Sequence, residues 1–140
     1  MFYMDQKCFA CGKENPIGLK LRFELDEEGR SITTYMPPHE FQGFSKILHG
    51  GIICTLLDEA MAWAMLLHGY LGATASIRVR FRKPIPTGQE VKVIGEVLDK
   101  GPRSWTLASY IVNEHGQVLA EAEGAFAVLS ETPPEKPVCE

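Results

Sequence analysis

The chain has 140 residues, of which 45% are hydrophobic and 23% are charged, and its formal net charge is -4. This length and composition predict one compact soluble domain and exclude disordered and fibrous chains. Because the sequence has no cluster of Lys and Arg, we also expect no nucleic-acid ligand.

The N-terminal stretch MFYMDQKCFACG has no basic region followed by an apolar run, so we expect no secretory signal and a cytoplasmic location. The four cysteines, at positions 8, 11, 54 and 139, make a poor disulfide framework and are expected to be reduced. The close spacing of Cys8 and Cys11 is typical of zinc or redox sites. A structural zinc site needs four ligands, however, and no second Cys or His pair follows, so we expect no metal.

Two strands are predicted before the longest apolar segment. Residues 19–25, LKLRFEL, alternate apolar with charged side chains, which is the pattern of a half-buried strand. The turn DEEGR leads into a second strand, SITTYM. The next segment, PPHEFQGFSKIL, is predicted to be a loop because it contains two prolines and scattered polar residues.

The segment LHGGIICTLLDEAMAWAMLLHG, residues 48–69, is almost entirely apolar but contains two adjacent acids, Asp58 and Glu59. It has no proline and is rich in Leu, Ala and Met, so we predict a helix over about residues 50–68. A membrane span would bury both carboxylates in hydrocarbon at a cost of several kcal/mol. We therefore expect a buried helix and no membrane partner.

Four β-rich runs follow the helix and are separated by turn signals; they are ASIRVRFRKP, EVKVIGEVLD, RSWTLASYIVNE and QVLAEAEGAFAVLS. Consecutive hairpins indicate an antiparallel sheet. The predicted class is α+β, with a curved sheet of about five to six strands wrapped around the long central helix. We expect a single domain over residues 1–130 and a polar, proline-rich tail over residues 131–140.

Helical periodicity places the two acids on different faces of the helix. Asp58 falls on a stripe of small residues, whereas Glu59 falls among large apolar residues. A carboxylate on a small-residue stripe is approachable and partly desolvated, which raises its pKa and makes it a better base, although a structural ion pair explains it equally well. For Glu59 we favour a buried structural pair, whose partner the sequence does not identify.

The helix starts with Gly50 and Gly51, directly after His49. Helix starts carry unsatisfied N–H groups and partial positive charge, and glycine lets a ligand atom come close to them. A tight turn into the helix is the alternative explanation. Together with Asp58, about two turns further on, an N–H group at the helix start could flank one reacting carbonyl.

The segment HGGIICTLLDEAMAWA, residues 49–64, resembles the helix motif of hotdog-fold acyl-CoA thioesterases, in the branch similar to the phenylacetic-acid-pathway (PaaI-like) enzymes. CFACGKENPIGLKLRF and RVRFRKPIPTGQEVKVIGEV resemble the usual flanks of the same family, so the resemblance covers about residues 8–129. It implies the hotdog fold and a homodimer, or a dimer of dimers, whose active sites are each built from two subunits.

The resemblance assigns catalytic roles by position. It makes Asp58 the general base or nucleophile and the N–H group of Gly50 the donor that polarises the thioester carbonyl. His49 orients the loop before the helix. Thr74 matches a position where a hydroxyl group from the other subunit helps to hold the attacking water.

Several relatives carry an Asn six residues before this histidine, where the present chain has Gly43. The neighbouring Gln42 is the candidate to take over its amide contact. Gly51 and Glu59 belong to the same motif and are expected beside the substrate.

Arg78, Arg80 and Arg82 alternate with apolar residues and therefore share one face of a strand. The ordinary explanation is a solvated outer face. The resemblance implies instead that Arg80, Arg82 and Lys83 help to receive the phosphates of coenzyme A.

The function implied is hydrolysis of a small or medium aryl or fatty acyl-CoA to the free acid and CoA, without any cofactor besides the CoA of the substrate. This chemistry needs only a base or nucleophile and an oxyanion donor, because the leaving thiol has a pKa of about 8.5 and departs readily. The alternative is a noncatalytic module that binds acyl-CoA or an acyl carrier. A dehydratase is less favoured because its catalytic His occurs in a different motif.

Overall fold

The computed structural model describes residues 4–131, which form one sheet and one long helix. The elements are β1 (Glu24–Leu25), β2 (Ser31–Tyr35), a short 3-10 helix (His39–Phe41), α1 (Gly50–Leu66), β3 (Tyr70–Phe81), β4 (Val91–Lys100), β5 (Ser104–Val112) and β6 (Val118–Glu131). Glu131, predicted to begin the C-terminal tail, is the last residue of β6. The rest of that tail, residues 132–140, lies outside the described residues.

The six strands form one sheet in the order β1-β2-β4-β5-β6-β3, and all neighbouring strands are antiparallel. Strands β4, β5 and β6 follow one another through hairpins, whereas β3 pairs with β6 and forms one edge of the sheet. The predicted α+β class, with one helix against a six-stranded antiparallel sheet, is confirmed.

The first predicted strand, residues 19–25, is a strand only over Glu24–Leu25. The side chains of Leu19 and Leu21 are buried as the alternating pattern predicts. Their backbone N–H groups, however, donate to carbonyl oxygens of the N-terminal segment at 2.9 Å, and Lys20 between them has a φ of 55°. An extended stretch that packs under the N-terminal segment therefore replaces most of the predicted strand.

Helix α1 ends at Leu66, slightly earlier than predicted. The chain then reverses at Gly69, whose φ of 91° lies in the left-handed region that favours glycine. Strand β3 starts at Tyr70, five residues before the predicted run. Among residues 4–131, no helix is long and apolar enough to cross a membrane.

Helix α1 is covered on most of its circumference, and Leu56, Leu57, Met61 and Met65 are fully buried. The helix comes closest to the sheet at the carbonyl group of Ala60. The hydroxyl group of Ser31 donates to this carbonyl oxygen at 2.6 Å. A Cβ atom on Gly95 of β4 would collide with the same carbonyl, so this approach requires glycine at position 95.

We predict that Gly95→Ala lowers the free energy of unfolding by about 1–3 kcal/mol, because the added methyl group forces the helix away from the sheet. Urea denaturation followed by circular dichroism measures this change. Leu98→Ala on the same strand is the control, since Leu98 is half exposed and its truncation should change the free energy of unfolding by only about 0.5 kcal/mol. Equal effects of the two substitutions would contradict the close approach.

Candidate active site

The start of α1 leaves one backbone N–H group available to a ligand. His49 is the N-cap residue, and its Nδ1 atom accepts a hydrogen bond from the N–H group of Gly51 at 2.8 Å. The N–H group of Gly50 has no acceptor among residues 4–131. The N–H group of Gly51 is therefore bonded to His49, while the N–H group of Gly50 remains available at the positive end of the helix dipole.

A cleft of about 610 Å³ opens at this end of the helix. Gly50 and His49 form part of its wall, together with the apolar side chain of Phe81 and the cationic residues Arg82 and Lys83. The ring of Phe81 is 3.8 Å from the position that a Cβ atom on Gly50 would occupy. Phe81 was not among the predicted site residues, although its alternation with the arginines placed it on the opposite face of the strand from them.

The second polar centre is the pair Asp58 and Thr74. The hydroxyl group of Thr74 donates to Oδ1 of Asp58 at 2.6 Å. Thr74 is paired with the fully buried Phe126 of β6 and precedes a β-bulge in β3, which directs its side chain towards the helix. Both groups come from one chain, whereas the resemblance implied a hydroxyl group from the other subunit.

Burial raises the pKa of the Asp58 carboxyl group, and the hydrogen bond from Thr74 lowers it in part. The titratable groups nearest to Asp58 are Cys54, one turn earlier on the same helix, and Glu59. A partly desolvated carboxylate with one fixed donor is a suitable base, and its second oxygen remains available to a water molecule or a substrate.

Gly50 and Asp58 are too far apart to act on the same atom within one chain. They are eight positions apart on the helix, and at a rise of 1.5 Å per residue this is about 12 Å. Two groups of one chain can therefore not flank a single carbonyl, and the resemblance itself implied active sites built from two subunits. A site that uses both groups needs them from two different subunits.

Glu59 points away from the cleft, towards the N-terminal segment. Its Oε2 atom is 3.7 Å from the Sγ atom of Cys8, and Cys11 is also within reach. Burial is the main cause that raises the pKa of Glu59 to about 8. The structure thus gives Glu59 two thiols as the partners that the sequence did not identify. Glu59 does not line the cleft, where we expected it to contact the substrate.

Gln42 lies in the loop before the helix, and its side chain closes a turn of that loop. Its Oε1 atom accepts a hydrogen bond from the N–H group of Lys46 at 3.0 Å. Lys46 has a φ of 61°, and the loop returns to His49 through a short bridge between Gln42 and Leu48. The oxygen of Gln42 is therefore engaged within the loop.

The arginines of β3 face mainly outwards. Arg80 is paired across strands with Glu121, and Arg82 makes two hydrogen bonds of 3.0 Å to the carboxylate of the same residue. This arrangement is typical of a solvated charged face. Arg82 and Lys83 also line the cleft, whereas Arg80 does not.

Residues 45–120 match the family model described as Thioesterase superfamily. The Bos taurus protein named acyl-coenzyme A thioesterase THEM4 is 28% identical over 131 residues, which cover 91% of this chain and 52% of the bovine protein. The chain thus spans about half the length of this relative.

Two solved structures share the fold. The thioesterase superfamily protein RHA08564 superposes with a TM-score of 0.79 at 28% identity, over 84% of this chain and 61% of that one. The E. coli PaaI protein from the phenylacetic acid degradation operon gives a TM-score of 0.74 at 21% identity, over 81% and 83% of the two chains. The predicted hotdog arrangement is therefore confirmed.

We predict that Thr74→Ala raises the pKa of Asp58 further, because the ionised carboxylate loses its hydrogen-bond donor. Carbon NMR of labelled aspartate side chains, followed as a function of pH, measures this pKa. Thr55→Ala is the matched control, since the hydroxyl group of Thr55 donates to the carbonyl oxygen of Gly51 at 3.0 Å and not to Asp58. An unchanged Asp58 pKa in Thr74→Ala would contradict the described contact.

Proposed function

The chain belongs to the thioesterase superfamily, and from this premise we propose that it hydrolyses a small or medium aryl or fatty acyl-CoA to the free acid and CoA. The observation that carries the proposal is the combination of an open Gly50 amide at an apolar cleft with a partly buried carboxylate fixed by Thr74. Thioester hydrolysis needs these two functions, an oxyanion donor and a base or nucleophile. The bovine relative, an acyl-coenzyme A thioesterase by name, supports the same class of substrate.

In the proposed reaction, the thioester carbonyl oxygen accepts a hydrogen bond from the N–H group of Gly50. The partial positive charge of the helix start stabilises the negative charge that develops on this oxygen. Asp58 takes a proton from the attacking water, or attacks the carbonyl carbon itself, while Thr74 holds its other oxygen in place. The tetrahedral intermediate then collapses and releases the CoA thiolate, whose parent pKa of about 8.5 makes acid assistance unnecessary. If Asp58 is the nucleophile, this step leaves an acyl–Asp58 anhydride, which water then hydrolyses to the free acid and the Asp58 carboxylate.

We propose a homodimer joined along β3, which can associate further as a dimer of dimers. Strand β3 is 12 residues long and forms an edge of the sheet, and such an edge is a template for pairing with another chain. Its apolar residues Ile77 and Phe81 are 37% and 55% exposed. Pairing along this edge would cover them and would supply Gly50 from one subunit to Asp58 of the other.

The cleft at Gly50 supports binding of the acyl-CoA. Its lining is mostly apolar, while Arg82 and Lys83 provide positive charge on one side. We propose that these two residues receive phosphates of CoA. The carboxylate of Glu121 already binds Arg82, which makes Lys83 the less engaged cation of the two.

We expect Asp58→Asn to lower kcat by a factor of about a hundred or more, because the amide can neither accept a proton from water nor act as a nucleophile. Thiol release from a panel of aryl, short and medium acyl-CoA substrates measures the activity. Asp99→Asn, which makes the same change at an exposed position of β4, is the control.

If wild-type protein hydrolyses none of these substrates, or if Asp58→Asn keeps full activity, the proposed reaction is refuted. Calorimetric binding of acyl-CoA without any thiol release would identify a noncatalytic binding module instead.

Gly50→Pro tests the oxyanion donor directly, because proline has no N–H group and is well tolerated at the first position of a helix. His49 has φ -62° and ψ 136°, an extended conformation compatible with a following proline. We expect kcat to be about 100-fold to 1000-fold lower than in Gly50→Ala, which adds a Cβ atom but keeps the donor. Similar activity of the two variants would exclude a role for this amide.

Mixing the two inactive variants tests whether the sites span two subunits. A mixed dimer of Asp58→Asn and Gly50→Pro contains one intact site, so exchange of subunits should restore about a quarter of the wild-type activity. If both groups acted within one chain, or if the chain were a monomer, mixing would restore no activity. The single variants test the proposed reaction separately. A mixture without activity would therefore refute the shared site and not the reaction.

A further inference from the structure

The two cysteines of the N-terminal CFACG stretch are held in a tight turn. The N–H group of Gly12 donates to the carbonyl oxygen of Cys8 at 2.9 Å. A Cβ atom on residue 12 would collide with the backbone nitrogen of Cys8 and the carbonyl group of Gln6, so only glycine fits here. The turn places the sulfur atoms of Cys8 and Cys11 side by side.

Helix α1 supplies a third donor to the same point. The Sγ atoms of Cys8 and Cys11 and a carboxylate oxygen of Glu59 all lie within 4.8 Å of one another. The distance from Cys8 Sγ to Glu59 Oε2 is 3.7 Å. In a tetrahedral zinc site with usual bond lengths, a sulfur and an oxygen ligand are about 3.6 Å apart. The observed spacing therefore fits a shared zinc ion.

The carboxylate of Glu59 has no counter-charge from a described Lys or Arg. Within residues 4–131, no Lys or Arg side chain forms an ion pair with Glu59. Cys11 is buried, with only 1% of its surface exposed, and Cys8 is partly buried. A partly buried carboxylate beside two thiols is unfavourable unless positive charge compensates it.

We propose that Cys8, Cys11 and Glu59 bind one zinc ion, with a water molecule as the fourth ligand. Two thiolates favour zinc over magnesium or calcium, which prefer oxygen ligands. From the sequence we expected no metal, because no second Cys or His pair follows Cys8 and Cys11. The fold supplies the missing ligand from a helix residue distant in sequence.

The ion would fasten the N-terminal segment to α1. Glu59 is adjacent to Asp58, so the zinc site would lie next to the candidate base, at residues that do not line the cleft. Because zinc would bind the folded chain much better than the unfolded one, its main effect is on stability.

Metal analysis of purified, untagged protein tests the proposal. We expect one zinc ion per chain in the wild type and only traces in Cys8→Ser, Cys11→Ser and Glu59→Gln. Cys54→Ser is the matched control, because Cys54 is a thiol on α1 outside the cluster and its loss should leave the zinc content unchanged. Circular dichroism verifies that the variants are folded.

A second measurement needs no variant. After treatment of the wild type with a chelator, added Co²⁺ should produce the absorption band of cobalt bound to thiolates, and Zn²⁺ but not Mg²⁺ should raise Tm. Protein that takes up neither Zn²⁺ nor Co²⁺ would overturn the proposal. A disulfide between Cys8 and Cys11 in freshly purified protein without metal would also overturn it, in favour of a redox pair.

Discussion

The contact between the carbonyl group of Ala60 and the sheet fixes how helix α1 is seated. Ser31 donates a hydrogen bond to this carbonyl, and the absence of a side chain at Gly95 allows the close approach. Since the helix cannot rotate or move away without breaking this contact, the directions of the two preceding acids are determined. Asp58 faces β3 and Glu59 faces the N-terminal segment.

Much of the architecture could be predicted from periodicity alone. The long apolar run without proline predicted α1, and alternating runs with turn signals between them predicted β4, β5 and β6. The segment over residues 19–25 shows the limit of this reasoning. Alternation reports which side chains are buried, and it does not report where the backbone hydrogen bonds go, so an extended stretch under a loop has the same pattern as a strand.

Periodicity predicted the different directions of Asp58 and Glu59, but not the long-range contacts that surround the candidate site. The angular spacing of a helix separated Asp58 from Glu59 correctly, and the helical rise puts Gly50 and Asp58 about 12 Å apart along the axis. The contact of Glu59 with Cys8 joins residues that are 51 positions apart. Contacts of this kind depend on the folded chain, and no local pattern in one sequence contains them.

The β-bulge in β3 determines which face of the sheet the side chains before and after it point to. Thr74 and Phe81 are seven residues apart, an odd number, so a regular strand would direct their side chains to opposite faces. Between Thr74 and Ser76 the strand contains one residue more than its partner, which restores the phase, and both side chains face the helix. A regular strand in which Ala75 was also paired would therefore turn Thr74 outwards while Phe81 kept its place at the cleft. A single unpaired residue thus keeps Thr74 and Phe81 on the same face of the strand.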